Sequence, residues 1–392
     1  MSLSGKTRRV LGFRVPIAIL SRNGELACKR SRPARRWKHL YLVLDDWEKG
    51  YSIHKIDLAS FDSDSDDNQD SSRSRVGVAG HLLESPLLRL ESPRDVNMLF
   101  AAMGNKIFIV TDARYGQTSA LIYDTETAAL ALGPAIPAHL RCGFDTVVAA
   151  HGMFYAFSPP PCNEQHSFDV MSCALTDSRG PSELGWFWKS LPALPPPFSE
   201  YETITSYAVH SDGYTIYMTT SPRDRPGLQK RTYSFNTKYS VWRWHSWALP
   251  FEDEGYFDSE LDAWVGLRWD GYICCCQLPS DTGSETPIEL GTEELDWQLV
   301  EDKLFRRETE KHLVASLTYM GRSKFCLIRS AMCEEAKDKH LLRDDDSCVL
   351  HLTMFGLKYN NKGELRFTNH KTSVSYRVAR HTDFFYPVAF WL

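Results

Sequence analysis

The chain has 392 residues, of which 43% are apolar and 12% aromatic, and its 45 basic and 50 acidic residues give a formal charge of −5. This composition supplies an extensive core and excludes a wholly disordered chain, while the near balance of charge excludes a general nucleic-acid binder. No apolar run reaches the roughly 18 residues of a membrane span, so we expect no membrane-spanning segment.

Residues 1–36 form a basic leader that differs from the rest of the chain. No acidic residue precedes Glu25, and the apolar stretch at 15–20 is short and contains Pro16. That stretch is too short for a secretory signal or a membrane span. We predict a short disordered leader. The alternative is an organelle transit peptide, because the start of the chain is Arg-rich and free of acidic residues.

Beyond the leader, a hairpin pattern recurs around glycines. Its clearest copy runs from Thr205 to Met218, with two alternating apolar runs around Asp212-Gly213. Gly accepts the positive φ of a tight turn, so this pattern is typical of a β-hairpin. The recurring glycines are Gly50, Gly104, Gly152, Gly213, Gly271 and Gly321, which are 54, 48, 61, 58 and 50 residues apart. This spacing, with several strands per repeat, is typical of a propeller of β-sheet blades.

We therefore predict an all-β fold, a kelch-like six-bladed β-propeller over residues 37–392. The predicted blades are roughly 37–92, 97–137, 145–197, 203–250, 261–300 and 312–370. Two polar insertions interrupt them: an acidic, Ser-rich loop at 62–72 and a charged stretch at 334–346, where we predict a short surface helix. The apolar tail at 380–392, or else residues near Trp37, is expected to close the ring and remove an exposed sheet edge.

Two further patterns recur at matching places in the repeats. Tyr123-Asp124-Thr125 of the second repeat aligns with Phe235-Asn236-Thr237 of the fourth, and Trp186-Phe187-Trp188 of the third aligns with Trp242-Arg243-Trp244. Asp and Asn side chains accept hydrogen bonds from nearby backbone N–H groups, so we predict a turn after each of the first pair. The matches support the repeat more strongly than the glycine spacing does.

Tryptophans form the first candidate site. Trp242, Trp244 and Trp247 could present a platform for carbohydrate or peptide. Alternation places Trp242 and Trp244 on one face of a strand, however, and Trp186 and Trp188 repeat that arrangement. Repetition at equivalent positions favours packing between neighbouring blades, so we predict that these side chains belong to the core.

Cysteines and histidines give the other candidates. None of the ten cysteines forms a CxxC pair, and within the Cys274–Cys276 run only Cys274 and Cys276 share a strand face. We therefore predict buried reduced thiols and a cytoplasmic or nuclear protein.

His151 and His210 precede equivalent turns. They could line a central channel or make structural hydrogen bonds. No motif supports a catalytic residue, a metal ligand or a cofactor-binding residue, so none is predicted.

The chain also resembles a large plant family, expanded in grasses, whose members contain a domain of unknown function. The resemblance rests on the segments 41–46, 206–210, 249–251 and 260–267 and covers roughly residues 37–370. It implies a propeller of kelch or galactose-oxidase character, although the paired glycines typical of kelch repeats are absent here. The family brings no established activity, so no functional residue is carried over.

These observations favour a non-enzymatic scaffold whose loops bind a protein or peptide partner, since a propeller fold alone fixes no function. The alternative is an enzyme or a carbohydrate-binding protein that uses the central channel. A small-molecule ligand is a further alternative. A cluster of His with Asp, Glu or Tyr on the axis would favour the enzyme. A channel lined by Ser, Thr and aliphatic residues would argue against it.

Overall fold

The structure is a computed structural model that describes residues 38–56, 85–92, 98–110, 119–137, 140, 146–158, 167–175, 184–190, 196–224, 230–278, 295–305, 312–332, 347–379 and 387–392. Over these residues the chain forms β-strands and no α-helix, which confirms the predicted all-β class. Within the same residues, no helix is long and apolar enough to cross a membrane.

The strands form six antiparallel four-stranded units. Unit 1 has the order β24-β1-β2-β3, with β1 (Leu40–Trp47), β2 (Gly50–Ile56), β3 (Leu88–Glu91) and β24 (Val388–Trp391). Unit 2 contains β4 (Leu99–Met103), β5 (Lys106–Val110), β6 (Ser119–Asp124) and β7 (Ala129–Ala135). Unit 3 contains β8 (Thr146–Ala150), β9 (Met153–Ser158), β10 (Ser167–Leu175) and β11 (Leu184–Ser190).

The remaining units follow the same plan. Unit 4 contains β12 (Glu202–Val209), β13 (Thr215–Pro222), β14 (Arg231–Asn236) and β15 (Val241–His245). Unit 5 contains β16 (Glu252–Asp258), β17 (Ala263–Leu267), β18 (Ile273–Cys276) and β19 (Trp297–Leu299). Unit 6 contains β20 (His312–Gly321), β21 (Lys324–Met332), β22 (Ser347–Tyr359) and β23 (Leu365–Ala379).

Units 4 and 5 are joined into one eight-stranded sheet. Their first strands, β12 and β16, pair in parallel at Ser206–Asp253, Tyr207–Glu254 and Ala208–Gly255. The other units are separate four-stranded sheets. The backbone of β16 is therefore tied to units 4 and 5 at once.

Apolar clusters link the units in a cycle. Each of six clusters contains buried residues of two successive units, and the sixth joins unit 6 to unit 1. Examples in cyclic order are Tyr41 and Ile107, Phe108 and Phe154, Phe157 and Phe235, Tyr217 and Trp264, Val265 and Phe325, and Leu352 and Leu42. Each such fully buried side chain contributes about 1.5–3 kcal/mol, so these clusters stabilise every junction between units.

The C-terminal strand lies in the same sheet as the first described strand. β24 pairs antiparallel with β1, from Leu40–Trp391 to Val43–Val388. Hydrogen bonds between the backbones of His39 and Leu392, at 2.8 and 3.1 Å, extend this pairing beyond the strands. The apolar side chains of β24 therefore contact units 1 and 6.

The strand bounds differ from two of the predicted repeat boundaries. The fifth repeat, predicted at 261–300, omits β16, which pairs with β17. The sixth, predicted to end near 370, stops inside β23, which continues to Ala379. β16 escaped notice because its sequence is EDEGYFD: acidic residues and glycine are depleted in strands, and no apolar alternation marks it.

The glycine spacing also mixes two kinds of turn. Gly104, Gly152, Gly213 and Gly321 follow or end the first strand of their units, with φ between 64° and 84°. Gly50 and Gly271 instead lie between the second and third strands, counted in sheet order. The near-regular spacing was thus a weaker indicator of the repeat than the side-chain patterns.

Those side-chain patterns do occupy equivalent positions. Asp124 and Asn236 end the third strands of units 2 and 4. Each accepts two backbone hydrogen bonds at 3.0–3.1 Å, from residues two and three positions later. This confirms the predicted turns. The leader at 1–36, the loop at 62–72 and the helix predicted at 334–346 lie outside the described residues.

Candidate functional site

Six strands supply most of the lining of one central cavity of about 580 Å³, together with Phe154 of β9 and Leu267 of β17. The six strands are β4, β8, β12, β16, β20 and β24, one from each unit and each at one end of its unit's strand order. Most of the lining is aliphatic or carries hydroxyl groups, as at Thr146, Val147, Ser316 and Thr318. The charged exceptions are Lys38 and the segment Glu252–Glu254 of β16.

Glu254 lies between two tyrosines at the wall of this cavity. The Tyr207 hydroxyl donates to Glu254 Oε2 at 3.2 Å, and the Tyr256 hydroxyl donates to the Leu317 carbonyl at 2.9 Å. Burial raises the pKa of Glu254 to about 7, and the neighbouring hydroxyl groups of Tyr256 and Tyr207 offset only part of that rise. Near neutral pH the protonated and ionised forms of this carboxyl are therefore both populated.

The two tyrosines are held in their neutral form. Burial, followed by the charge of Glu254, raises the pKa of both Tyr207 and Tyr256 well above the usual range. Each hydroxyl is therefore a hydrogen-bond donor or acceptor at physiological pH and not a phenolate. Together with Glu254 they connect β12, β16 and β20 on one side of the cavity.

Asp253 is the carboxylate most available to a ligand. It adopts φ of 55°, a left-handed conformation that Asp tolerates, at the point where the β16–β17 register shifts. Its side chain is open to the cavity, and its carboxylate has no hydrogen-bond partner among the described residues. Enclosure by the cavity walls, and then the neighbouring charge of Glu252, raise its pKa to about 6.

The charge of the described lining is negative. Glu252, Asp253 and Glu254 contribute three carboxyl groups, and Lys38 is the only basic residue of the described lining. A narrow cavity of one sign concentrates the field of its charges. The cavity therefore favours a ligand with positive charge or with hydrogen-bond donors.

The rest of β16 holds this acidic segment in place. The Phe251 ring lies directly over the backbone of Gly255 and Gly266, where any Cβ would overlap it. At the far end, Asp258 is fully buried and accepts five hydrogen bonds of 2.7–3.0 Å, from Glu260, Leu261, Tyr319 and two groups of Ser323. β16 is thus fixed to units 5 and 6.

The predicted candidate histidines do not line the cavity. The His151 ring lies 4.2 Å from the Tyr214 ring, which belongs to the turn of the next unit. The His210 ring stacks on Trp264 at 5.4 Å, and its Nδ1 accepts from the Asp212 amide at 3.3 Å. Both side chains therefore connect turns and strands, in agreement with the structural alternative.

Most of the candidate tryptophans pack as predicted. Trp242 lies 4.8 Å from the Phe235 ring, Trp247 is buried beside Tyr217, and Trp186 packs against Phe108. The prediction is wrong for Trp244, which is 57% exposed on β15. β15 is the last strand of its unit, so no neighbouring strand covers that part of its face.

The cysteine run is inert. Cys274, Cys275 and Cys276 are all buried on β18, and burial raises the pKa of each thiol. Burial also raises the pKa of Cys326 to about 12. Thiols of this kind behave as small apolar side chains and not as nucleophiles.

Metal ligation finds no support in the part of the chain that the structure describes. There, no three His, Cys, Asp or Glu side chains are grouped so as to hold a metal ion. Asp253 and Glu254 are consecutive residues of β16, and the Tyr207 hydroxyl already donates a hydrogen bond to Glu254. The arrangement suits proton exchange and hydrogen bonding with an organic ligand.

Asp253, Glu254 and Tyr256 are not among the residues predicted from the sequence, because β16 is not among the predicted strands. A usable signal was present nonetheless. Asp258-Ser259-Glu260-Leu261-Asp262 is rich in turn residues and directly precedes the apolar strand β17. A turn at that place requires a strand before it, which is β16.

Comparison with protein families identifies the chain. The family described as "Protein of unknown function (DUF1668)" matches residues 37–376, most of the sequence. The chain belongs to this family. All the cavity-lining strands of this DUF1668 protein except β24 lie within the matched region. No curated protein matches the chain.

Solved structures offer distant likenesses. The periplasmic gluconolactonase PpgL of Pseudomonas aeruginosa is 11% identical, with 87% of this chain and 99% of that chain covered and a TM-score of 0.39. The β-propeller domain of Cps50 (Swd1) from Myceliophteria thermophila is 11% identical, with 83% and 81% covered and a TM-score of 0.35. At such TM-scores neither likeness decides the function of the DUF1668 protein.

Proposed function

We propose that the six units are the blades of a six-bladed β-propeller and that β24 closes its ring. The cyclic order of the apolar clusters supports this arrangement, because unit 6 contacts unit 1 as well as unit 5. The pairing of β24 with β1 supports closure, since it joins the two ends of the described chain in one sheet. The central cavity is then the axial channel, and the strands that line it are the innermost strands.

We further propose that the protein is a non-enzymatic scaffold that binds a peptide segment of a protein partner in this channel. The observation that carries the proposal is the cavity of about 580 Å³ lined by all six units. Binding sites for small ligands and peptide side chains commonly span about 300–1,000 Å³, mostly apolar with a few polar groups. The aliphatic and hydroxyl lining suits a peptide, and the carboxylates of β16 supply polar contacts.

A second function, catalysis or carbohydrate binding in the same channel, is favoured by one observation. Glu254 has a pKa of about 7 and lies beside Tyr207, which is the arrangement of a general acid–base group. Asp253 would then be the second carboxylate. Binding ranks first because no nucleophile with an adjacent base lines the described part of the channel.

A peptide selection tests the proposal. The full-length protein is immobilised, a random peptide library displayed on phage is selected against it, and enriched peptides are titrated by fluorescence polarisation. We expect enrichment of a common sequence and at least about 10-fold weaker binding by Ala149→Trp, whose added ring would fill the channel. Ala149 is exposed on β8 and lines the channel.

The matched control is Ala131→Trp. Ala131 is exposed on β7, the last strand of unit 2, and does not line the cavity. An equal loss of peptide affinity in both variants, or no loss of affinity in Ala149→Trp, would show that the channel is not the binding site. Turnover of a glycoside or ester panel that disappears in Glu254→Gln, together with no enriched peptide, would replace the scaffold by the enzyme.

A further inference from the structure

A small depression adjoins the channel beside β16. Its volume is about 30 Å³, and it lies between the start of β16, the end of β17 and the start of β20. Glu252, Asp253 and Leu267 line both spaces. A volume of this size holds about two water molecules, so it suits the tip of one side chain and not a whole ligand.

The acidic side of the depression is not neutralised from within. Neither Glu252 nor Asp253 has a hydrogen bond or ion pair among the described residues. The basic residue of the lining, Arg268, is already engaged: its Nε and Nη2 donate to Asp270 at 3.2 Å, and its guanidinium lies 5.3 Å from the Trp297 ring. The charges of Arg268 and Asp270 offset each other. The carboxylates of Glu252 and Asp253 therefore give the depression a net negative charge.

An exposed aromatic ring completes the site. Trp269 lines the depression and is 55% exposed, although most tryptophans of the fold are buried or half-buried. A cation over an indole face gains about 0.5–2 kcal/mol, more when water is excluded. The same kind of interaction occurs elsewhere in the chain, since Lys303 lies 5.0 Å from the Tyr272 ring. An indole beside unpaired carboxylates is therefore suited to an organic cation.

We propose that this depression binds the basic side chain, arginine or lysine, of the peptide that enters the channel. The proposal rests on the proposed function in taking a peptide as the ligand. Asp253 and Glu252 form charge-assisted hydrogen bonds with the guanidinium or ammonium group, and the Trp269 ring covers its stem. Because Asp253 belongs to both spaces, a peptide backbone in the channel can place this side chain in the depression.

Binding of defined peptide pools tests this inference. The pools are acetylated, amidated nonapeptides with Ala, Gly or Ser flanks and a central arginine, lysine, citrulline or norleucine. Titration uses fluorescence polarisation on the full-length protein. We expect the arginine and lysine pools to bind about 10-fold or more tightly than the citrulline and norleucine pools. Citrulline keeps the shape of arginine and removes its charge, so it isolates the electrostatic contribution.

Paired variants locate the effect. Asp253→Asn should abolish most of the preference for a basic centre, and Trp269→Ala should reduce it by about 3–10-fold. Asp262→Asn is the control for the first, because Asp262 is also an exposed Asp with positive φ, 49°, but lies away from the depression. Trp244→Ala is the control for the second, since Trp244 is 57% exposed on β15.

The outcomes separate this inference from the proposed function. Channel-dependent peptides without a basic residue, whose affinity survives Asp253→Asn and Trp269→Ala, would overturn the basic-side-chain site and leave the scaffold intact. Equal losses in Asp253→Asn and Asp262→Asn would also overturn it, because general acidity would then explain the preference. Failure of every pool and of the library selection would reject the scaffold itself.

Discussion

The two ends of β16 hold carboxylates in opposite circumstances. At one end Asp258 is fully buried and accepts five hydrogen bonds, which outweigh the effect of burial and lower its pKa. At the other, Asp253 has no hydrogen-bond partner among the described residues, and its pKa is raised to about 6. Glu254, with a pKa of about 7, resembles Asp253 and not Asp258.

The difference shows that partners, and not residue type or strand, decide what a carboxylate does. Asp258 joins the β16–β17 turn to Ser323 of unit 6, so its charge stabilises the fold. Asp253 and Glu254 are left short of donors, which costs stability and leaves them free to interact with a ligand. Substitutions along β16 can therefore separate its structural end from the end at which we propose ligand binding.

The largest expected effect is at Asp258. Asp258→Ala leaves the buried donors of Ser323, Leu261 and Tyr319 without an acceptor, so we expect a loss of about 3–5 kcal/mol in the free energy of unfolding. Urea denaturation at pH 7 measures it. Asp253→Asn, the same residue type at the other end, should change stability by less than about 1 kcal/mol. Similar losses in both variants would contradict the comparison.

The middle of β16 comes next. Gly255→Ala would place a Cβ inside the Phe251 ring, and such overpacking costs about 1–3 kcal/mol. The ring is fully buried against Gly266 as well, so it has little room to move. The double variant Phe251→Leu/Gly255→Ala should lose less stability than the sum of the single changes, as a double-mutant cycle would show. Strict additivity would mean that the two residues do not support each other.

The smallest effect is the pH dependence from Glu254. Its pKa is raised in the folded state, so folding binds a proton between pH 4.5 and about 7, and stability falls as pH rises through this window. The contribution is about 1–3 kcal/mol, whereas the lowered pKa of Asp258 acts in the opposite sense and only below about pH 4.

Glu254→Gln tests this dependence. The amide keeps an acceptor for Tyr207 but cannot ionise, so the variant should match the parent at pH 5 and exceed its stability at pH 8. Unfolding by urea at both pH values measures the difference. Glu91→Gln, at an exposed position of β3, is the control and should leave the dependence of stability on pH unchanged. If the free energy of unfolding falls with pH as steeply in Glu254→Gln as in the parent, another group is responsible for the dependence.

Much of the strand pattern could be read from the sequence, because local physics specifies it. The Asp124 and Asn236 turns, the hairpin at Gly213 and the packing of Trp242 follow from turn chemistry and apolar alternation. These signals act over a few residues and are therefore visible in the sequence. Trp244 shows their limit: it repeats the pattern of Trp242 but lies exposed, because exposure depends on which strands cover β15.

The all-β class, most strands and the burial of the cysteine run follow from the sequence alone, since alternation, turn residues and burial of thiols are local or compositional properties. That EDEGYFD is a strand, and that its carboxylates contact Tyr207 and the cavity, depends on the tertiary structure. That segment has poor intrinsic strand propensity and becomes β16 because β12 and β17 pair with it on either side. Strand pairing between units brings Tyr207 and the β16 carboxylates together, and a local sequence pattern does not predict this pairing.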